Sequence, residues 1–393
     1  MNGLPVCREV VSCLCFLLLG LLLSAGPLLA APPAPGEKVT VALKTYNGRP
    51  VVFVNDKPLP MPMYSPVSWS MPHFTNQVPW FAPHKMGAYF ICRPFAAGGW
   101  AASAFWQGES ISNRPIVEMA GKGTPSFEEQ IDLITHLDPG AWLWIRDVNA
   151  DPPAAWRKLH PDQLVVTEDG RSTDVPSLAS ELYWDGLARV NAATITYIES
   201  QPWANRVLGY WCGMFGEGTF APLYTYNLYD HSPVMQAKWR AFLKEKYGAE
   251  EALRTAYGDA NLTFETAAVP KDPLLGPQRQ MAALTYWQPA SSNQPRRDYL
   301  ELTARLVHDG YRRVMRATGE ACGGRKICLY DAFKMPMQGW NLFGFFDQNV
   351  SWWPAYPEMM SGGGYIGAAS LFDVPGFDGL VTPHDYQARG MGG

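Results

Sequence analysis

The chain has 393 residues, of which 47% are hydrophobic and 13% aromatic, including 15 Trp, 18 Tyr and 18 Phe; it can bury a large core in one or two domains. A net charge of -4 and a pI near 6.0, with no Lys/Arg run of the kind that tracks phosphates, exclude a polyanion-binding surface. Nucleic acid is therefore not an expected partner. The surplus Trp and Tyr serve core and lid packing, or offer flat faces on which sugar rings stack.

In chain order, residues 13–30 form an apolar run that follows Arg8 and precedes small residues and prolines. This is the pattern of a secretory signal peptide over residues 1–31, and not of a membrane span. The mature chain is expected to be secreted or periplasmic, with no membrane association after cleavage. Cys7, Cys13 and Cys15 would leave with the signal, so Cys92, Cys212, Cys322 and Cys328 remain. Cys92 and Cys212 read as buried free thiols, and a Cys322 to Cys328 bridge is open in an oxidising compartment. No cysteine spacing resembles a zinc site, and neither a metal nor another cofactor is expected.

Residues 32–58 form a Pro-rich joint and a β-hairpin. Val39 to Lys44 and Val51 to Val54 flank Asn47-Gly48, the pair that favours a type I′ turn. The rest of the chain, 59–393, reads as one domain of alternating strands and helices. The segment ending on Tyr64 and the run Gly87 to Phe95, with Arg93 near its end, give the first two strands. Ser126-Phe-Glu-Glu129 is a capping box that opens a helix, stopped by Pro139-Gly140. The third strand follows at once over Ala141 to Val148, apolar until Arg146 and Asp147, a pair that reads equally as an intrastrand salt bridge or a substrate contact. Trp156 to Ser180 reads as a long polar connection, and Asp185 to Ile198 as a helix.

The fourth strand begins at Arg206 and ends on Glu217, set between Gly216 and Gly218 with Trp211, Phe215 and Phe220 nearby. A carboxylate among aromatics at the C-terminal end of a buried strand suits a raised-pKa general acid; a residue that caps or salt-bridges the next loop is the other reading. Ser232-Pro233 then opens a helix that ends at Gly248, and a short helix from Glu250 to Tyr257 closes at Gly258. The stretch from Asn261 to Pro295 reads as an insertion. A helix over Arg297 to Thr318 leads to the fifth strand, Lys326 to Asp331, which carries Tyr330. The sixth, Gly379 to Tyr386, ends on His384 and Asp385. His384 reads either as a sugar contact or as a histidine bonded to a strand carboxylate.

Six strands alternating with helices, with polar residues at their C-terminal ends, predict an α/β fold of (β/α)8 TIM-barrel type. The doubly wound sheet is the main alternative, but no Gly-rich phosphate loop follows any strand. The barrel is incomplete, with about six of its eight strands. Two apolar edges would then be left open, so a longer chain is expected.

The run Ser232 to Gly258, together with the placing of Glu217, resembles the segment after the acid/base strand in family 42 glycoside hydrolases, the β-galactosidase-like branch of the (β/α)8 glycosidases. The specific part of the likeness is 207–258. It implies a carbohydrate substrate, Glu217 as the catalytic acid/base at the end of strand four, and a nucleophilic Glu at the end of strand seven, beyond Gly393. Tyr64, Arg93, Arg146, Asp147, Trp211, Tyr330, Asp331, His384 and Asp385 are the expected substrate-binding residues. The family carries Asn immediately before its acid/base Glu, and this chain has Gly216 there. Two functions are therefore carried forward: a secreted retaining glycosidase of β-galactosidase type, and a non-catalytic carbohydrate-binding or structural barrel. The sequence carries no sign of the oligomeric state.

Overall fold

The computed structural model of the protein describes residues 37–59, 63–64, 78–80, 82–84, 87–92, 127–146, 154–212, 230–271, 290–331 and 371–381. Residues 1–31, where a signal peptide is expected, and Ser126 of the expected capping box lie outside this set. Asn47 (φ 50°) and Gly48 (φ 75°) both take the positive φ that a type I′ turn demands. Across that turn β1 (Val41–Tyr46) pairs antiparallel with β2 (Arg49–Val54). A further turn at Asn55 and Asp56, again at positive φ, adds β3 (Lys57–Pro58), which the sequence reading did not include.

Along the chain follow β4 (Met63–Tyr64), β5 (Ala88–Cys92), α1 (Phe127–Leu137), β6 (Trp142–Arg146) and α2 (Ala154–Leu159). Next come β7 (Leu164–Val166), β8 (Ser172–Pro176), α3 (Glu181–Glu199) and β9 (Val207–Cys212). The chain continues through α4 (Pro233–Tyr247), α5 (Glu250–Tyr257), α6 (Ala290–Ala321), β10 (Ile327–Asp331) and β11 (Gly379–Val381).

The Trp156 to Ser180 stretch, expected as a long polar connection, holds the end of α2 and the antiparallel pair β7–β8. Its polar residues obscured it, because strand residues such as Ser172 and Thr173 carry no apolar alternation. Ser180 accepts from the Tyr183 N–H at 3.1 Å, an N-cap that starts α3 four residues before the expected Asp185. Ser232 caps α4 in the same way, and α6 extends past both of its expected ends.

The sheet β4-β5-β6-β9-β10-β11 is parallel throughout, and its order in space is its order in the chain. A doubly wound sheet would reverse that order at a switch point. No described strand does so, and α1, α3 and α6 all pack on one face. On that face Ile131 and Ile134, Leu187 and Ile195, and Val307, Tyr311 and Val314 bury Tyr89, Ile91, Leu143, Ile145, Tyr210 and Cys328. The Trp184 ring lies across Gly310, where an added Cβ would sit 2.1 Å from the indole, so a glycine is what lets α3 and α6 approach.

The opposite face carries Phe90, Trp142, Trp144, Leu208, Trp211 and Ile327, and near its N-terminal edge it meets Val41, Val54 and Leu59 of the hairpin. The Val41 N–H donates to the Arg325 carbonyl at 2.7 Å, which seats the hairpin against the start of β10. Both faces are therefore covered at that edge, as parallel strands require.

At the same edge Lys326 is buried, with Nζ donating to the carbonyls of Ala204 (3.1 Å) and Val207 (2.6 Å). Burial pushes its ammonium down to about 8. The unfolded chain keeps that proton to about 10.5. Between the two values the unfolded state binds more protons, so the contribution of Lys326 to stability rises with pH. Urea unfolding of wild type and Lys326→Met from pH 7 to 10.5 should show the difference shifting toward wild type by on the order of 1–3 kcal/mol. Parallel profiles would mean that Lys326 titrates normally in the fold.

Candidate functional site

All six parallel strands end at one edge, and their pairing aligns the expected residues along it. Cys92 of β5, Arg146 of β6, Trp211 of β9 and Leu329 of β10 stand side by side in register, and Asp331 pairs with Val381 two residues further along. Tyr64 ends β4 beside Tyr89. The backbones of Tyr64, Arg146 and Asp331 are thereby placed at the C-terminal edge. Arg93, Asp147, Phe215, Glu217, Phe220, His384 and Asp385 lie outside the described residues; Cys212, the last described residue of β9, is five positions before Glu217.

On the face away from the helices, three of the described aromatics meet one another. Phe90 stacks on Trp144 with centroids 6.0 Å apart and meets Trp211 edge-on at 5.3 Å. Gly209, in register with Trp144, makes this possible: a Cβ there would lie 2.6 Å from the Trp144 ring and 2.2 Å from the Ile327 carbonyl. The indole N–H of Trp144 is buried in this layer without a hydrogen-bond partner.

Tyr330, expected in the cleft wall beside Trp211, is on the other face. It is fully buried between Tyr311 and Phe377, and its hydroxyl donates to the Gly376 carbonyl at 3.1 Å. Side chains alternate along a strand, and neighbouring strands carry the alternation in register; Tyr330 pairs with Cys212, a helix-facing residue, and not with Trp211. It is a core residue. Cys212, Cys322 and Cys328 are buried on this same face, none of them in a disulfide. Cys322 and Cys328 are not bridged: their sulfurs are 3.9 Å apart, and the contact with Cys328 brings the Cys322 thiol down to about 7.

Beyond the strand ends the chain is held by two buried carboxylates that sequence reasoning missed. Asp230 closes the 213–229 segment that carries Glu217. It accepts from Ser177 Oγ (2.5 Å) and from the backbone N–H groups of Ser232 (2.8 Å) and Val166 (3.2 Å), while its own N–H donates to Tyr299 Oη at 2.7 Å. Burial pushes its carboxyl up, and these donors oppose that shift. Asp298 on α6 accepts from Lys246 (2.9 Å), Gln294 (2.7 Å), Tyr247 (2.6 Å) and Tyr257 (2.9 Å), locking α4, α5 and α6 into one corner. The available signal was each acid's place next to a helix start or on an otherwise apolar stripe, which does not distinguish a knot from an exposed charge.

Among the described residues no group of three His, Cys, Asp or Glu side chains is arranged to hold a metal ion, and no helix is long and apolar enough to cross a membrane.

No family model matches the chain, and no curated protein matches it. Its fold is similar to that of solved β-galactosidases. That of the psychrophilic Marinomonas ef1 is 14% identical with a TM-score of 0.44, over 71% of this chain and 41% of that one. A GH42 β-galactosidase from G. stearothermophilus, solved as a catalytic mutant, is 13% identical with a TM-score of 0.44, over 70% and 35%. The catalytic domain of a β-amylase from Paenibacillus polymyxa is 12% identical with a TM-score of 0.49, over 82% and 75%. The chain thus spans about two fifths of the length of these β-galactosidases.

Asp230→Ala leaves the Ser177 hydroxyl and two buried N–H groups without an acceptor. Each such group costs about 1–3 kcal/mol. Chemical denaturation should show a loss of roughly 3 kcal/mol, and limited proteolysis should show faster cleavage within 213–229. A variant as stable and as protected as wild type would remove Asp230 as the anchor of that segment.

Proposed function

We propose that the chain carries the (β/α)8-type barrel sheet of a secreted, retaining glycoside hydrolase of β-galactosidase type, with Glu217 as its general acid/base. The observation that carries this is the position of β9. It is the fourth strand of a parallel sheet laid down in chain order, and Glu217 follows its C-terminal end. The resemblance over 207–258 expects the acid/base at that place, and barrel folds keep their chemistry at that edge. The buried Phe90, Trp144 and Trp211 layer packs just inside that edge, and Trp211, at 9%, is the most exposed of the three.

In the first step Glu217 donates its proton to the glycosidic oxygen as that bond breaks, while a second carboxylate, on a later strand, attacks the anomeric carbon and forms a glycosyl-enzyme. In the second step Glu217, now ionised, takes a proton from water, whose oxygen displaces the nucleophile and releases the sugar. A general acid must stay protonated toward neutral pH, and the residues that flank Glu217 in the sequence, Phe215 and Phe220, are of the kind that disfavours a charged carboxylate. Tyr64, Arg93, Arg146, Asp147, Asp331, His384 and Asp385 are the candidate hydroxyl partners of the sugar. Trp211 is the candidate stacking face.

Gly216 favours a second reading, because the family's Asn at that position holds the sugar 2-hydroxyl. A barrel that binds carbohydrate without cleaving it would retain the aromatic layer and lose turnover.

In the intact protein, Glu217→Gln should reduce turnover of unactivated β-galactosides by about a thousandfold or more while sparing the glycosylation step with activated aryl galactosides, whose leaving groups need no proton. The fold should survive, the amide being nearly isosteric. Unchanged hydrolysis of unactivated substrates by the variant would rule out Glu217 as the acid. Sugar binding without hydrolysis by wild type would select the binding barrel.

A further inference from the structure

Arg296 is only 3% exposed, and neither its Nε nor its Nη2 has a hydrogen-bond partner. These two N–H groups share one edge of the planar guanidinium, the edge that pairs with both oxygens of a carboxylate or sulfate. A buried charge without a partner is strongly destabilising. The two carboxylates buried in this corner, Asp298 and Asp230, are already matched. Asp298, two residues on, has both oxygens filled by Lys246, Gln294, Tyr247 and Tyr257. Asp230 is filled by Ser177, Ser232 and Val166.

The position of Arg296 gives the unfilled edge its context. Helical spacing puts it on the buried stripe of α6 with Tyr299 and Thr303, one turn before the tyrosine that holds Asp230. Further along α6, Tyr311 packs on Tyr330 at the C-terminal end of β10. Tyr311 lies fifteen positions after Arg296, so at about 1.5 Å each the arginine stands roughly 22 Å beyond that contact along the helix, on the side where the strands end.

We infer that the Nε/Nη2 edge of Arg296 is a binding site for an oxyanion carried by the carbohydrate, the carboxylate of a uronic acid or the sulfate of a sulfated sugar. The inference rests on the carbohydrate reading of this edge and adds the class of sugar that it selects. The site is distinct from the acid/base: it binds a charged substituent and takes no part in proton transfer.

Calorimetric titration of the intact protein with galactose, galacturonate, galactose 6-sulfate and inorganic sulfate tests this, with Arg296→Gln and Arg296→Lys as variants. At least one acidic sugar should bind wild type about tenfold or more tightly than galactose, and which one does so identifies the anion. Arg296→Gln should abolish that advantage and leave galactose affinity unchanged. Arg296→Lys, a charge without the fork, should keep only a part of it. If inorganic sulfate binds wild type and not Arg296→Gln while no sugar binds, the oxyanion site stands and the carbohydrate reading fails. Equal affinity of wild type for galactose and both acidic sugars overturns the inference, as does an advantage that survives Arg296→Gln, or no binding by any probe. So does a large loss of melting temperature in Arg296→Gln without any change in sugar binding, because a carboxylate of the chain itself would then fill the edge.

Discussion

Every parallel strand of this protein has to be covered on two sides, and β9 shows what that demands of the sequence. Its helix-facing residues, Tyr210 and Cys212, are buried under α3 and α6, and its other face holds Trp211 against Phe90. Between them Gly209 has no side chain, and the Trp144 ring occupies the space that one would need. The aromatic layer therefore exists because one residue of the central strand is a glycine. The bulge next to it, where Leu143 pairs with Val207 but Trp144 with Gly209, brings that glycine opposite the tryptophan.

The two edges of the sheet are finished by different chemistry. At the N-terminal edge the hairpin brings Val41, Val54 and Leu59 onto Trp142, Leu208 and Ile327, and Lys326 ties the starts of β9 and β10 together through carbonyl contacts. This end is closed with apolar mass. At the C-terminal edge the covering elements, β7–β8 and the α4–α5–α6 corner, are joined through buried carboxylates, Asp230 and Asp298, each with its acceptor sites filled by donors from separate elements. A polar network of this kind fixes positions more sharply than apolar contact does, because every unmet partner is penalised. It is the arrangement expected where loops must hold side chains in place over a ligand.

Much of the architecture was legible in the sequence because it is written in short-range chemistry. Asn47-Gly48, Ser232-Pro233 and Gly248 each specify a local backbone conformation, and the apolar runs before Arg146, Glu217 and Asp331 mark strands buried on two faces. What stayed hidden depends on contacts between distant residues. β7 and β8 pair through a polar sequence, α3 starts at a serine whose role shows only in its bond to Tyr183, and α6 continues through Pro295. Tyr330 illustrates the limit within a correctly placed strand. Its strand and its nearness to the C-terminal end could be read, but the face it occupies is set by its pairing with Cys212, which no single-strand pattern contains. The partners of Asp230 and Asp298 come from across the chain and were invisible for the same reason.

We propose that the C-terminal edge of this sheet is where glycosides are hydrolysed with retention, through a covalent glycosyl-enzyme. Proton NMR of the first turnovers on an aryl β-galactoside reads this most directly, since the anomer released before mutarotation reports the number of displacements at the anomeric carbon. The account predicts β-galactose as the first product. Initial release of α-galactose would contradict it, as would no release of galactose at all.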